Sequence, residues 1–232
     1  VYVLKVIGIL GGLGPEATAE LFIRIIKATP AKRDQDHIPI IIFNNPKIPD
    51  RTAAILYGGE SPLIELIKTA QRLERAGADF IIMPCNTAHY YYDELKSSVK
   101  IPFLNMIELT AEYVAKVYPN VKFVGLLATT GTVKTGLYQK FFEKYGFKII
   151  VPSDEDQRIV MSGIYDGVKA GNLDLGRKLL LDIANKLIDK GSELMILGCT
   201  EVSVVIKSGD LRVPVVDPLQ ILAEEAVKFA LK

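Results

Sequence analysis

Cys85 and Cys199 are the only cysteines in a chain of 232 residues, and they occupy matching places in two similar stretches. Cys85 ends the run Asp79-Phe80-Ile81-Ile82-Met83-Pro84 and is followed by Asn86-Thr87. Cys199 ends the run Glu193-Leu194-Met195-Ile196-Leu197-Gly198 and is followed by Thr200-Glu201. A thiol between an apolar run and polar residues suggests a helix start, where the backbone dipole lowers the thiol pKa below its usual value of about 8.5. The competing reading is that each Cys is a small buried hydrophobe. Against it stand Asn86, Thr87 and His89 after one thiol, and Thr200 and Glu201 after the other. A thiolate can act as nucleophile or base. Two of them on opposite faces of one carbon suit stereoinversion: one takes a proton from a carbon beside a carboxylate, and the other returns a proton to the far face. A disulfide between the two is the structural alternative. It would add little in a chain this size and is disfavoured where thiols stay reduced.

The elements that position these thiols are themselves repeated. Gly77 and Gly191 each close the helix before a cysteine run, and their separation is 114 residues, the same as that of the cysteines. Lys5–Gly14 aligns with Lys122–Gly131, and Ile101-Pro102-Phe103-Leu104 aligns with Val213-Pro214-Val215-Val216. This is one internal duplication, not a short-period solenoid. It predicts a first α/β lobe over 1–105 and a second over 106–216, with the C-terminal helix 217–232 a candidate to pack on the first. Consecutively apolar runs predict strands at Val6–Leu10, Ile40–Asn44, Phe80–Met83 and Phe103–Leu104, then at Val121–Ala128, Phe147–Val151, Leu194–Leu197 and Val215–Val216, each buried on both faces. Between them lie helical patterns. One begins at Ser61-Pro62 with the face Leu66, Ala70, Leu73; another opens at Asn172 with the face Leu179, Leu180, Ile183, Leu187, Ile188. Strands alternating with helices predict two short parallel sheets of about four strands each, flanked by helices and related by a pseudo-twofold. Ligands in such folds bind beyond the carboxyl ends of strands. Gly11–Gly14, Asn44-Asn45, Cys85–Thr87, Thr129–Thr132 and Cys199–Glu201 all fall there, which predicts a site between the lobes.

Composition narrows the function. Twenty-eight Lys and Arg against 27 Asp and Glu give a net charge of +1, with no basic field for nucleic acid and no polybasic patch for a membrane surface. No run approaches the ~20 apolar residues of a membrane helix. The apolar N-terminus is broken by Lys5 and lacks a small-residue cleavage pattern, so it reads as a buried strand. The expectation is a cytoplasmic protein.

Other motifs are weaker. Gly12-Leu13-Gly14-Pro15-Glu16-Ala17 fits the loose dinucleotide fingerprint, but the next strand ends in Phe43-Asn44-Asn45-Pro46, without the acidic residue that would hold a ribose. The turn could still cradle a carboxylate on its backbone N–H groups. Thr129-Thr130-Gly131-Thr132 reads equally as a helix cap or a carboxylate site, since both use the same groups. His89, four residues past Cys85, could tune that thiol or act as a cap; His37 lies in a polar loop. Neither forms a zinc-like spacing with the cysteines, so no metal is expected. Arg51 could clamp a carboxylate or be a solvated loop residue, and Lys169 is open in the same way. The two thiols make a pyridoxal Schiff base on Lys169 unnecessary, so no cofactor is expected.

Ile9–Pro15, Met83-Pro84-Cys85-Asn86-Thr87-Ala88-His89 and Gly198-Cys199-Thr200-Glu201 together resemble the aspartate/glutamate racemase family, most closely its cofactor-independent archaeal aspartate racemases. The similarity extends to Asn44-Asn45-Pro46, Pro49-Asp50-Arg51-Thr52 and Leu127–Thr132. The resemblance implies Cys85 and Cys199 as paired acid and base and a small acidic amino acid as substrate. It implies no cofactor or metal, and a homodimer. It implies Arg51 and Lys169 as carboxylate ligands, Asn86, Thr87 and Ala88 as the loop receiving the substrate backbone, and Thr129 and Thr130 as further contacts. Glutamate racemases of the family typically carry His where this chain has Glu201, which favours aspartate.

Overall fold

The computed structural model describes residues 4–232, and in it the apolar runs become parallel strands. The chain divides into two units, one running to Leu109 and resuming over Leu219–Lys232, the other spanning Thr110–Pro218.

The first unit contains β1 (Ile7–Gly11), α1 (Pro15–Ala28), β2 (Ile40–Asn44), α2 (Arg51–Tyr57), α3 (Leu63–Arg75), β3 (Phe80–Ile82), α4 (Tyr92–Ser97) and the start of α5 (Met106–Val117). Its sheet is parallel in the order β2-β1-β3, with Ile7 opposite both Ile40 and Phe80. Alternation distributes the strands over two cores. Ile7, Ile9, Phe80 and Ile82 pack with Leu21, Ile25 and the C-terminal residues Leu219, Leu222, Ala223 and Ala226. Leu10, Ile81, Met83 and Cys85 pack with Leu66, Ala70 and Leu73 of α3. β1 and β3 are buried throughout, whereas β2 at the sheet margin is half-exposed, contrary to the expectation of burial on both faces. The expected strand Phe103–Leu104 shrinks to a single bridge between Ile81 and Phe103. Two causes flank it: Pro102 has no N–H to donate, and Asn105 at once begins α5, its Oδ1 accepting from the N–H groups of Ile107 and Glu108 at 3.0 Å each.

The second unit continues α5 and adds β4 (Phe123–Leu127), α6 (Thr130–Lys134), α7 (Leu137–Phe142), β5 (Lys148–Ile150), α8 (Asp154–Ser162), a π-helical stretch Gly163–Lys169, α9 (Leu173–Asp189), β6 (Leu194–Leu197), α10 (Thr200–Val205), β7 (Val215–Val216) and the first residue of α11 (Pro218–Ala230). Its four strands run parallel in the order β5-β4-β6-β7. α9 starts on Asn172, whose side chain accepts from Leu175 N–H, and buries Leu180, Ile183, Leu187 and Ile188 in one core with Leu127 of β4 and Met195 and Leu197 of β6. β4 and β5 are shorter than the apolar runs that predict them, and β5 is the half-exposed margin.

The duplication reappears as a shared device at the strand starts. In the first unit Val6 N–H donates to Asp79 Oδ2 at 2.6 Å. In the second, Lys122 and Phe123 N–H donate to Glu193 Oε2 at 2.8 and 2.9 Å. Each acid follows its helix-ending glycine by two residues and ties the strand after the next-neighbour crossover to the one beside it. Among the described residues no helix is long and apolar enough to cross a membrane.

Candidate active site

Both cysteines are free thiols, each buried directly beyond the carboxyl end of β3 or β6. Around Cys85 the chain turns at once: Cys85 N–H donates to Met83 O at 2.9 Å, and a 3-10 turn spans Thr87–Tyr91. Asn86, Thr87, Ala88 and His89 are all buried there. His89 Nδ1 lies 2.6 Å from Cys85 O, and its Nε2 lies 3.1 Å from Met106 N. A backbone N–H can only donate, so Nε2 accepts and Nδ1 carries the proton that bonds Cys85 O. Burial lowers the His89 pKa to about 4, so the ring is neutral near neutral pH. His89 therefore ties the cysteine loop to the start of α5 and brings no charge to the thiol.

Arg51 opens α2, which Asp50 caps by accepting from Ala53 N–H at 2.7 Å. Its Nη1 donates to Pro49 O at 3.1 Å and Ile48 O at 3.4 Å, and its Nη2 to Leu13 O at 3.5 Å. The guanidinium thus spans the loops after β1 and β2. Gly12, in the first of those loops, has φ of 99°, and a Cβ there would sit 2.3 Å from the Asn45 carbonyl carbon. The glycine turn is shaped by that neighbouring backbone; the fingerprint-like spacing reflects close packing.

In the second unit Thr129 caps α6, its Oγ1 accepting from Thr132 N–H at 3.3 Å. Thr130 N–H donates to Met161 Sδ at 3.3 Å, and Gln157 Nε2 braces the turn on Ala128 O at 2.9 Å. The capping half of the Thr129–Thr132 reading is thus occupied.

Cys199 is the N-cap of α10 and stands in a line of three ionisable groups. Its Sγ donates to Glu201 Oε2 at 2.9 Å, and Lys169 Nζ donates to Glu201 Oε1 at 2.8 Å. Thr200 Oγ1 also donates to Glu201 Oε2, at 3.2 Å. Lys169 ends the π-helical stretch, which approaches α9 so closely that a Cβ on Gly167 would lie 2.5 Å from Gly176 Cα. Burial pushes the Cys199 thiol well above its ordinary pKa, and the adjacent Glu201 carboxylate pushes it further; Lys169 opposes both. This corrects the expectation of a thiolate stabilised by a helix start: burial first, and the carboxylate one hydrogen bond away second, hold the proton on Cys199. Burial also opposes ionisation of Glu201, yet the Lys169 charge and the hydrogen bonds from Cys199 and Lys169 hold its carboxyl below the ordinary value. Tyr138 of α7 is fully buried; burial, then Asp217 and Cys199, raise its phenol far above the usual range, so it stays neutral.

The structure therefore assembles Cys85, Asn86, Thr87 and Ala88 in one loop of the first unit, with Arg51 on its strand-end loops. It assembles Cys199 and Lys169 in the second. Sequence reading missed the Glu201 bridge and the buried Tyr138. Glu201 carried a faint signal, standing two residues from a thiol, but its pairing with Lys169 spans 32 positions and two elements. Among the described residues no three or more His, Cys, Asp or Glu side chains gather as a metal set. A cavity of about 420 Å³ in the first unit, bordered by Phe22, Ile26, His37 and Ile40, is lined by neither cysteine and by none of the candidate substrate-binding residues.

Residues 10–226 match the family model described as Asp/Glu/Hydantoin racemase. The broad specificity amino-acid racemase RacX of Bacillus subtilis (strain 168) is 28% identical over 227 residues, 95% of this chain and 96% of its own. Picrophilus torridus aspartate racemase, a solved structure, is 36% identical with a TM-score of 0.88, over 97% of this chain and 94% of that one. An aspartate racemase homologue from Pyrococcus horikoshii OT3 is 31% identical with a TM-score of 0.79, over 99% and 100%. Two parallel sheets flanked by helices are the fold these structures share with the chain.

Proposed function

The chain belongs to the Asp/Glu/hydantoin racemase family and is an amino-acid racemase, and on that premise we propose that it interconverts L- and D-aspartate through Cys85 and Cys199. The observation that carries the reading is that the only two thiols of the chain stand at equivalent points of a duplicated fold, each directly after a buried strand. In one direction the Cys85 thiolate takes the Cα hydrogen as a proton. The electrons of the broken C–H bond spread into the α-carboxylate, and the Cys199 thiol gives its proton to the opposite face. Cys85 is left as thiol and Cys199 as thiolate; the other enantiomer runs the same steps reversed. The thiols supply both proton transfers, so the reaction requires no cofactor.

The charge developing on the α-carboxylate must be met by donors already in place. The candidates are the backbone and side chains of Asn86, Thr87 and Ala88, with Thr129 and Thr130 from the second unit. Arg51 and Lys169 are the cations for the two substrate carboxylates, and their charges favour a dicarboxylic over a neutral amino acid. The reading extends to a cytoplasmic homodimer, whose subunit count the mass of the purified protein in solution checks.

Incubation with L-aspartate in heavy water tests the reaction. D-aspartate should appear with deuterium at Cα, and chirality and deuterium should be followed together. Bound aspartate that neither racemises nor exchanges would leave a binding protein instead. The full-length similarity to a broad specificity racemase favours one second reading, a wider amino-acid range. Loss of optical rotation across a panel of amino acids separates the two.

A further inference from the structure

We propose that Glu201 is a positioning residue for this reaction: by accepting the Cys199 Sγ–H on one carboxylate oxygen and Lys169 Nζ on the other, it makes Cys199 the resting acid of the thiol pair. The inference rests on the two-thiol reading above and adds a direction to it. The duplicated fold would by itself leave the two thiols interchangeable. Glu201 removes that equivalence, because nothing corresponding to it follows Cys85, where Asn86 and Thr87 stand instead.

The balance of the step is simple. Cys199 and Glu201 together hold one proton, and no electrons are exchanged. With Lys169 against Oε1 the carboxylate keeps its negative charge, and the proton stays on sulfur. Its charge in turn opposes formation of the thiolate beside it. Cys199 is thus set as the proton donor for the enantiomer whose Cα hydrogen faces Cys85. The return direction must first form the Cys199 thiolate next to an ionised carboxylate.

The groups facing Cys199 come from several elements. Glu201 lies on its own helix, Lys169 on the π-helical stretch, and Tyr138 on α7. Asp217, after β7, acts on Tyr138 and accepts from Ser203 Oγ at 2.8 Å. Tyr138 remains a neutral phenol, so the adjustable charges around the thiol are those of Glu201 and Lys169.

The test uses Cys85→Ser protein, in which Cys199 is the sole thiol, and measures its rate of alkylation by iodoacetamide against pH, read by mass spectrometry. Adding Glu201→Gln keeps the shape and removes the charge; the midpoint should fall by about one to three pH units. Adding Lys169→Met instead should raise it. The onset of Cα hydrogen exchange catalysed by Cys199 should follow the same shifts. A Glu201 with only a structural role would lower activity and leave the alkylation midpoint in place, which would overturn the proposal. If Glu201→Gln fails to fold, Glu201→Asp, which keeps the charge but draws it away from the sulfur, takes its place: the midpoint should fall by less, and an unmoved midpoint there also overturns the proposal. Loss of the two-thiol reading would look different: Cys85→Ser and Cys199→Ser proteins that both racemise at full rate, whatever the midpoints do.

Discussion

The two cysteine loops arise from one repeated plan and differ in what surrounds the sulfur. Each thiol follows a buried strand, and each preceding strand is tied in by an acid two residues past a glycine. Beyond the thiol the resemblance stops. The Cys85 loop is held by a neutral imidazole whose two nitrogens are both used on the backbone. The Cys199 loop is held by a carboxylate that touches the thiol itself and an ammonium. Repetition has kept the placement of the sulfur and let its electrostatics diverge. In the first loop the neighbour fixes shape; in the second it fixes protonation.

Removing either sulfur is the strongest way to break this comparison. Cys85→Ser and Cys199→Ser should each lower racemisation by about 10²–10⁴-fold or more, as loss of a general acid–base group does. Each protein should still exchange Cα deuterium with one enantiomer, and opposite enantiomers for the two variants, read by chiral chromatography with mass detection.

The two neighbours should then separate by the kind of measurement they move. His89 is neutral when folded, with a pKa of about 4 against an ordinary 6.5, so the unfolded chain takes up the proton first as pH falls. Its contribution is intact above about pH 6.5 and is lost between there and pH 4, amounting to about 3 kcal/mol for a fully buried ring. His89→Leu should flatten that slope in urea unfolding. At pH 8 it should cost about 1–3 kcal/mol, because Met106 N–H loses its acceptor. Unchanged pH dependence would deny the imidazole this role. Glu201→Gln, by contrast, should act on the Cys199 alkylation midpoint.

Gly167→Ala probes how Lys169 is delivered. The new methyl group would collide with Gly176, so a loss of about 1–3 kcal/mol is expected, with a weaker substrate affinity through the displaced Lys169. Calorimetry and KM read the two effects. The smallest effects should come from the repeated strand clamp. Glu193→Gln should lower Tm more than Asp79→Asn, since Glu193 accepts from two N–H groups and Asp79 side chain from one. Equal losses would mean that the clamps contribute alike despite this difference.

Much of the fold was legible because duplication doubles every signal. Ile40–Asn44, Leu194–Leu197 and Val215–Val216 are strands over the expected residues, and the Asn172 cap opens α9 as its spacing predicts. Phe103–Leu104 failed as a strand because the same few residues also had to begin a helix, and the Asn105 cap won. Within the candidate site, what was legible is local placement: each thiol after the end of a buried strand, and the buried Asn86-Thr87-Ala88 turn beside Cys85. The Glu201–Lys169 contact was not. It depends on how a π-helical stretch lies on α9, through glycines whose lack of side chains leaves no hydrophobic pattern to read. The charge state of Cys199 was not legible either, since the helix-start rule considers only the local backbone, while the depth of burial and then the Glu201 carboxylate keep this thiol protonated.

The C-terminal helix has a consequence for synthesis. Leu219, Leu222, Ala223 and Ala226 fill the face of the first sheet that Ile7, Ile9, Phe80 and Ile82 present, while Thr110–Pro218 is continuous. On the ribosome the first unit therefore waits with an open apolar face until residues 219–226 have left the exit tunnel. A nascent chain stalled near residue 218 would expose that face, and there a chaperone would find its binding surface.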